Sequence, residues 1–517
     1  MSTEQTLDRS RYSSSRMSEY GVLVFIVVIL GWLSVRFYHI YGQQFFALTA
    51  DDVSRTLLAR EVLKGKWIPH PLWPPLSFWI NALAIKVFPN YFRTPALVNS
   101  VFATCTLLFY YGAVREFGGS KLGAYLSEIL IANVPIFFCL CVSALADPIF
   151  QAGVFLALWG ILRWLKTHSW SSFFVASTGL ALANGIRVEG WVISGFWGLT
   201  VLLHLIHSWI TQRPEFRDMV RYLAGVLIVG SFPVFWMMYQ IIEYGDLFFY
   251  VTATREYVMT YGAQPLSTRL MVYPRILLFE ISPLALLFAI PGLVLGWRTH
   301  RKLTGWLACA CLVILAAVEY GAVRYVIASA FRARQMLFVF MLCIMPLGLL
   351  LGRCLSEPEL WRKMVGIAVF ISILTPLVKA QTPPPDGIPS HIRQVGSCLQ
   401  RIWDTSLQPG ERMMTELVLW DYLIVPFLSG NPDNVLLDRR VEYEFKAGSP
   451  QFPADNPSVF DLDPDTLAQY LETNRIRAIA VRHTSDHGQL PVSMVPVFDN
   501  DVYTIYLQSG RPSPACQ

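Results

Sequence analysis

Several acidic and basic side chains in this 517-residue sequence stand at the ends of long apolar stretches, where charge is rare. Asp51 and Asp52 form an adjacent pair, Asp147 stands alone, and Arg187 and Glu189 are separated by one residue. A charge at membrane depth costs on the order of 3 kcal/mol on insertion scales, so its presence needs a reason. A carboxylate can take a proton from a hydroxyl group, and an arginine can hold a phosphate. These residue types together suit the transfer of a group from a phosphate ester to a hydroxyl.

Each of these signals also has a structural interpretation, which the sequence leaves open. Asp51, Asp52 and Asp147 could be helix caps that interact with the helix dipole. Arg187 and Glu189 could form a structural ion pair. Three arginines precede a late apolar stretch: Arg324, Arg332 and Arg334. Of these, Arg332 and Arg334 could be anchors that reach the lipid headgroups.

The elements that must position these residues are membrane spans. Hydrophobic residues make up 54% of the chain and charged residues 15%, against about a quarter charged in soluble domains. About 20 apolar residues cross a bilayer as a helix. This length predicts about eleven spans: Tyr20–Ile40, Thr94–Val114, Leu122–Val142, Pro148–Leu165, the shorter Ser171–Asn184, Gly190–Ile210, Tyr222–Ile242, Ile276–Trp297, Leu303–Ala322, Met336–Leu351 and Met364–Lys379.

The distribution of Lys and Arg predicts the orientation of these spans. Six alternate connecting segments are all basic, as Arg213, Arg217 and Arg221 illustrate, and short cytoplasmic segments are typically rich in these residues. We therefore expect a cytoplasmic N-terminus without a cleavable signal, and an integral protein of the plasma membrane. This topology brings the charged groups named above to the extracytoplasmic face. The net charge of +5 follows from it and does not indicate nucleic-acid binding.

Two segments on the extracytoplasmic side are too long to be simple connections. Residues 41–93, the first outer loop, combine an amphipathic helix around Val53–Leu63 with a second apolar helix at Leu76–Phe88. Residues 381–517 begin with a proline-rich linker, and their pattern predicts a small α/β domain. In it Ile392, Val395, Leu399 and Ile402 mark a helix face, Asp463 caps a helix, Ile476–Val481 and Val502–Leu507 are strands, and Cys398 could pair with Cys516.

The sequence thus predicts an α-helical polytopic membrane protein, with residues 1–380 in the membrane and 381–517 in a small extracytoplasmic α/β domain. A sugar carried on a lipid phosphate suits such a chain, because its leaving group needs no protonation. The enzyme then needs one carboxylate for the acceptor proton and positive charge for the departing phosphate.

The first outer loop resembles that of the GT-C glycosyltransferases. The resemblance rests on the stretches Ala50–Leu63, Gly65–Pro69 and Trp73–Ile80, on Asp147-Pro148 between the third and fourth spans, and more loosely on Ser329–Leu337. It is greatest to the protein O-mannosyltransferase branch and its bacterial relatives that move aminoarabinose onto lipid A. Two departures concern phosphate contacts: Trp73 stands where the family has a lysine, and Ser54 where the aminoarabinose enzymes have an arginine.

This resemblance implies a polyprenyl- or dolichyl-phosphate sugar donor, inversion at the anomeric carbon, and an acceptor that is a protein, a lipid or a glycan. It implies catalytic roles for Asp51, as the base, and for Asp52 and Asp147. It implies no certain cofactor, although a divalent metal at Asp51 and Asp147 stays open. The candidates for binding the donor phosphate or substrate are Arg55, Arg60, His70, Trp73, Arg187, Glu189, Arg332 and Arg334.

Two other functions remain compatible with the sequence. A lipid-substrate transporter or flippase would have paired interrupted helices in inverted halves, and no convincing internal repeat is present. A non-catalytic membrane scaffold would tolerate replacement of Asp51 and Asp147. The sugar, the acceptor and the oligomeric state cannot be read from the sequence.

Overall fold

The computed structural model describes residues 45–211, 215–261, 265–324, 333–379, 387–416, 421–439, 442–444, 449–451, 457–483 and 490–516, together with Gly21 and Gly31. The chain divides into two compact units. The first, which we call the membrane unit, includes Ala59–Pro384. The second, which we call the C-terminal unit, combines Pro385–Gln517 with the stretch Phe45–Leu58 from the first loop.

Helices make up the membrane unit. Helix α1 (Ala50–Leu63) begins among the residues of the C-terminal unit and ends in the membrane unit. The helices that follow are α2 (Leu76–Val87), α3 (Thr94–Phe117), α4 (Lys121–Ala132), α5 (Pro135–Val142), α6 (Asp147–Thr167), α7 (Trp170–Ile186), α8 (Glu189–Thr211), α9 (Phe216–Tyr244), α10 (Phe249–Tyr261), α11 (Leu266–Arg269), α12 (Val272–Arg275), α13 (Pro283–Thr299), α14 (Arg301–Arg324), α15 (Ala333–Ser356) and α16 (Leu360–Lys379), with a π-helical turn at Ile276–Ile281 between α12 and α13.

Seven of these helices are long and apolar enough to cross a membrane, and each coincides with a predicted span: α3, α6, α8, α9, α14, α15 and α16. Two further predicted spans are bent pairs of helices, α4 with α5 at 73° and α12 with α13 at 100°. The polytopic helical architecture is therefore confirmed. The count of eleven stays a prediction, because α7 has only 17 residues and Tyr20–Ile40 lies outside the described residues except for two glycines.

Proline accounts for both bends. Pro135 is the first residue of α5 and Pro283 is the first residue of α13. A proline lacks the N–H that would continue the preceding helix and disfavours the helical conformation in the residue before it. Apolar length alone therefore predicted one span in each place, whereas the chain changes direction there.

The C-terminal unit is an α/β domain, as predicted. Its five-stranded sheet has the order β2 (Val435–Leu437), β1 (Arg412–Thr415), β5 (Ile476–Arg482), β7 (Tyr503–Gln508) and β6 (Met494–Asp499). In it β2, β1 and β5 are parallel, and β7 is antiparallel to β5 and to β6. A two-stranded hairpin accompanies it. The elements are α17 (Ser390–Ser406), β1 (Arg412–Thr415), α18 (Asp421–Leu428), β2 (Val435–Leu437), the hairpin strands β3 (Glu442–Glu444) and β4 (Ser449–Gln451), α19 (Pro464–Thr473), β5 (Ile476–Arg482), β6 (Met494–Asp499) and β7 (Tyr503–Gln508).

The predicted local signals of this domain are also present. The predicted face of α17 is buried, and the side chain of Asp463 accepts the amide of Thr466 at 3.0 Å as the cap of α19. The two strands predicted from the sequence, Ile476–Val481 and Val502–Leu507, correspond to β5 and β7. Cys398 and Cys516 form a disulfide with Cα atoms 5.1 Å apart, which confirms the pairing that the sequence left open.

Removal of this disulfide should lower the free energy of unfolding of the C-terminal unit. The bond closes a loop with a sequence separation of 118 residues, for which the chain-entropy model gives about 5 kcal/mol. We expect Cys398→Ser to be cleaved faster by protease within residues 387–516, measured on the full-length protein in detergent. Cys309→Ser, which alters an exposed free cysteine, is the control. Equal cleavage of the two variants would contradict the prediction.

Candidate functional site

A helical hairpin, α6 with α7, brings two of the predicted site residues together. The two helices run in opposite directions, so that Asp147 at the start of α6 comes level with Arg187 just after α7. Small residues let the backbones approach closely. A Cβ atom on Gly160 would lie 2.6 Å from the Ala176 nitrogen, and one on Gly179 would lie 2.5 Å from the Ala157 nitrogen.

The result is a cluster of two carboxylates around one guanidinium, which we call the acid–arginine cluster: Asp147, Arg187 and Glu189. Arg187 Nη1 donates to Asp147 Oδ1 at 2.8 Å. On its other side, Arg187 donates to Glu189 from Nη2 to Oε1 at 2.5 Å and from Nε to Oε2 at 3.2 Å. The second contact is bidentate, which fixes the plane of the guanidinium as well as its position.

The cluster is largely removed from water. The side chains of Asp147, Glu189 and Arg187 are 5%, 9% and 14% exposed. Burial alone lowers the pKa of Arg187, but the charges of Glu189 and Asp147 outweigh it and raise that pKa. With the arginine charged, two carboxylates and one guanidinium leave a net charge of −1. The cluster is therefore suited to a partner that is positive or becomes positive.

Aromatic side chains connect this cluster to helix α15. The guanidinium of Arg187 lies over the ring of Phe150 at 5.7 Å from its centroid, within the range of cation–π attraction. Phe150 packs edge-to-face against Phe338, with ring centroids 5.3 Å apart. Phe338 follows Arg334 by one helical turn, so the first turn of α15 lies close to the cluster.

Two tyrosines belong to this neighbourhood that the sequence reasoning missed. Tyr273 is buried and close enough to Arg187 to affect its pKa, and its hydroxyl donates to Gln335 Oε1 at 2.6 Å. Tyr250 lies near Glu189; burial first, and then the charge of Glu189, raise the pKa of Tyr250 to about 12. Neither tyrosine stands in a recognisable motif, and only the packing of α10 and α12 identifies them.

The acidic pair lies in the part of α1 that belongs to the C-terminal unit. Asp52 is fully buried, and its Oδ2 accepts the amide of Thr49 at 3.0 Å. Asp51 is half-buried. The two neighbours thus differ in their surroundings, because Asp52 stabilises the start of the helix whereas Asp51 is the more accessible carboxylate.

The structure places the remaining predicted residues as follows. Arg55 is buried in α1, and Arg60 lies over the ring of Tyr91 at 5.6 Å. His70 stacks on Trp73, with ring centroids 4.4 Å apart. Arg334 is buried in the first turn of α15, next to Gln335; Arg332 lies outside the described residues.

The donor set of the cluster does not favour a divalent cation. Among the described residues, no three His, Cys, Asp or Glu side chains gather as a metal site. Asp147 Oδ1 and both oxygens of Glu189 already accept from Arg187. A cation bound there would be attracted by the net charge of −1, but it would have to take these oxygens from Arg187.

Comparisons with known proteins bear on the same region. Residues 70–237, which include Asp147, Arg187 and Glu189, match the family model of the dolichyl-phosphate-mannose-protein mannosyltransferases. No curated protein sequence matches the chain significantly. The fold is similar to that of ArnT from Cupriavidus metallidurans in the apo state, with a TM-score of 0.61 and 10% identity over 93% of this chain and 97% of that chain.

Two further solved structures have the same architecture. ArnT from the same organism bound to undecaprenyl phosphate gives a TM-score of 0.62, again with 10% identity over 93% of this chain and 97% of that chain. The oligosaccharyltransferase of Archaeoglobus fulgidus in the apo form gives 0.52, with 13% identity over 90% of this chain and 69% of that chain. The resemblance that the sequence indicated is thus confirmed: residues 70–237 resemble the protein mannosyltransferase family, and the fold of the chain is similar to that of ArnT.

Proposed function

We propose that this protein transfers a monosaccharide from a polyprenyl- or dolichyl-phosphate donor to an acceptor hydroxyl, with inversion, on the extracytoplasmic face of the plasma membrane. The observation that carries the proposal is the acid–arginine cluster at the helix ends of a GT-C membrane fold. Charges retained in such a place indicate a polar substrate at the boundary of the membrane. The acceptor can be a protein, a lipid or a glycan.

In the proposed reaction the acceptor oxygen attacks the anomeric carbon from the face opposite the lipid phosphate. The new bond joins that carbon to the acceptor oxygen, while the bond to the phosphate oxygen breaks and the lipid phosphate leaves with its electron pair. Asp51 takes the acceptor proton as the general base. Arg334 and Arg332 hold the departing phosphate, for which the guanidinium is well shaped.

The acid–arginine cluster then acts on the sugar. Positive charge develops on the sugar ring as the bond to the leaving group breaks. A buried group of net charge −1 stabilises that charge more in the transition state than in the ground state. Among the described residues, Asp147 is engaged through Oδ1 alone, which leaves Oδ2 to accept from a sugar hydroxyl.

Transfer should not depend on a divalent metal, because Arg187 already supplies the positive charge between the two carboxylates. We expect incubation with EDTA, followed by its removal, to leave the initial rate of sugar transfer within about twofold of the untreated protein. Addition of Mg²⁺, Mn²⁺ or Zn²⁺ to the treated protein is the matched control. A loss with EDTA that one of these ions restores would show that the reaction needs a metal.

The function is tested with a panel of radiolabelled sugars on polyprenyl phosphate, presented to membranes with and without the protein. We expect one sugar to be transferred, with the product in the anomeric configuration opposite to that of the donor. Sealed vesicles of both orientations determine the face, and transfer should need donor and acceptor at the extracytoplasmic side. Translocation of the donor without transfer would instead identify a flippase, and neither activity would favour a scaffold.

A further inference from the structure

We infer that the C-terminal unit positions the acidic pair for catalysis, by holding the five residues that lead into helix α1. We call these residues, 45–49, the anchor segment. The inference rests on the proposed function, because it assumes that Asp51 acts as the base. It assigns to the C-terminal unit a role in the chemistry itself.

The anchor segment belongs structurally to a distant part of the chain. Residues 45–58 form one compact unit with residues 385–517, although more than 300 residues separate them in sequence. Within the anchor segment Phe45, Phe46 and Ala47 are 4%, 3% and 0% exposed. Three consecutive buried residues outside a helix or strand indicate a segment that is packed on both sides.

One contact to the anchor segment is made by Gly387, in the proline-rich linker. Its amide donates to the carbonyl oxygen of Ala47 at 2.6 Å. A Cβ atom at this position would lie 2.8 Å from the carbonyl carbon and oxygen of Leu48 and 3.0 Å from the oxygen of Ala47. These are backbone atoms, which cannot rotate away, so a side chain at position 387 requires the backbone of the anchor segment or of residue 387 to shift.

A second contact is made by helix α18. Phe45 packs edge-to-face against Phe427, with ring centroids 4.7 Å apart. Such aromatic pairs contribute beyond the area that they bury. Ile388, next to Gly387, is also buried at 3% exposure. The anchor segment is thus held at its first residue by a side chain and at its third residue by the backbone.

Hydrogen bonds connect the anchor segment directly to the acidic pair. Asp52 Oδ2 accepts the amide of Thr49 at 3.0 Å, and the amide of Asp52 donates to the carbonyl of Thr49 at 3.1 Å. This reciprocal bonding fixes the first turn of α1 relative to Thr49. Asp51 stands between the two bonded residues, so a shift of the anchor segment moves its carboxylate.

Two variants test this inference in the full-length protein. Gly387→Ala places a methyl group against the backbone of the anchor segment. Phe427→Leu removes the aromatic ring that packs against Phe45. The matched control is Phe460→Leu, which alters an equally buried phenylalanine in the core around Met414 and Ile479. The donor is polyprenyl-phosphate mannose, or the sugar on the same lipid phosphate that the panel identifies.

We expect kcat to fall between about 10- and 100-fold in Gly387→Ala and Phe427→Leu, with KM for the donor unchanged, because small misplacements of a reacting group have effects of this size. Hydrogen exchange should rise in residues 45–52 while β5 and β7 stay protected. Phe460→Leu should keep the wild-type kcat. Unchanged kcat in both variants, an equal loss in Phe460→Leu, or faster exchange throughout the C-terminal unit would overturn the inference.

Failure of this inference can be told apart from failure of the proposed function. If the wild-type protein transfers sugar, Asp51→Asn does not, and both anchor variants remain fully active, only the inference is wrong. If the wild-type protein transfers no sugar from any donor of the panel, the proposed function is wrong. The exchange pattern would then still report whether these contacts hold the start of α1.

Discussion

Replacing Arg187 by methionine should destabilise the membrane unit by about 3–5 kcal/mol and abolish sugar transfer. The variant removes the shared partner of Asp147 and Glu189, whose side chains are 5% and 9% exposed. Two buried carboxylates would then face each other without the guanidinium between them, and breaking a buried ion pair costs this much. The net charge of the cluster would change from −1 to −2, which favours protonation of one carboxylate and a change in its geometry.

The measurement is the temperature at which the detergent-solubilised protein loses its monodisperse peak, followed by the transfer rate at a lower temperature. Arg353→Met is the matched control, because Arg353 is 60% exposed and forms a surface ion pair with Glu357 at 2.8 Å. Such pairs contribute about 0–1 kcal/mol. The stability of Arg187→Lys should lie between those of Arg187→Met and Arg353→Met, since lysine keeps the charge but loses the bidentate contact.

A triple variant separates the loss of charge balance from the loss of packing. Arg187→Met combined with Asp147→Asn and Glu189→Gln has no buried charge at these positions. We expect it to be more stable than Arg187→Met while remaining inactive. The reason is that substitutions at contacting residues do not have additive effects on the free energy of unfolding. Equal stability of Arg187→Met and Arg353→Met would show that the cluster does not hold the helices together.

The sequence predicted that these three residues share one side of the membrane, because basic loops fix the direction of each span. It left an ion pair between Arg187 and Glu189 open, but it did not predict that Asp147 contacts Arg187. Their contact depends on the close approach of α6 and α7, which in turn depends on Gly160 and Gly179 meeting backbone across the hairpin. Apolar length, by which spans are found, carries no information about which helices pack together.

The C-terminal sheet was predictable to the extent that its strands are long. β5 and β7 have seven and six residues and the β-branched and aromatic composition of buried strands. β1 and β2 have four and three residues, too few for a periodic pattern. The helix around Val53–Leu63 was predicted from its apolar spacing, but its association with residues 385–517 depends on contacts that no local pattern encodes.

Asp51→Asn should lower kcat for sugar transfer by about 10²- to 10⁴-fold with little change in KM. Positioned general bases contribute rate factors of this size, and an amide cannot accept the proton. Asp52→Asn should lower kcat by no more than about tenfold, because the asparagine oxygen can still accept the Thr49 amide that Asp52 binds at 3.0 Å. The adjacent acids are therefore expected to have separable effects, although the sequence alone treats them as a pair.

The two variants are compared in membranes at matched expression, with initial rates measured over a range of donor concentrations. Asp218→Asn is the control, because Asp218 forms only a partly exposed ion pair with Arg221 at 3.1 Å in α9; its kcat should equal that of the wild type. If Asp52→Asn proved the more damaging change, the buried carboxylate would be the better candidate for the base. A wild-type rate in Asp51→Asn would remove Asp51 from proton transfer and leave Asp52 and the carboxylates of the acid–arginine cluster as the next candidates for the base.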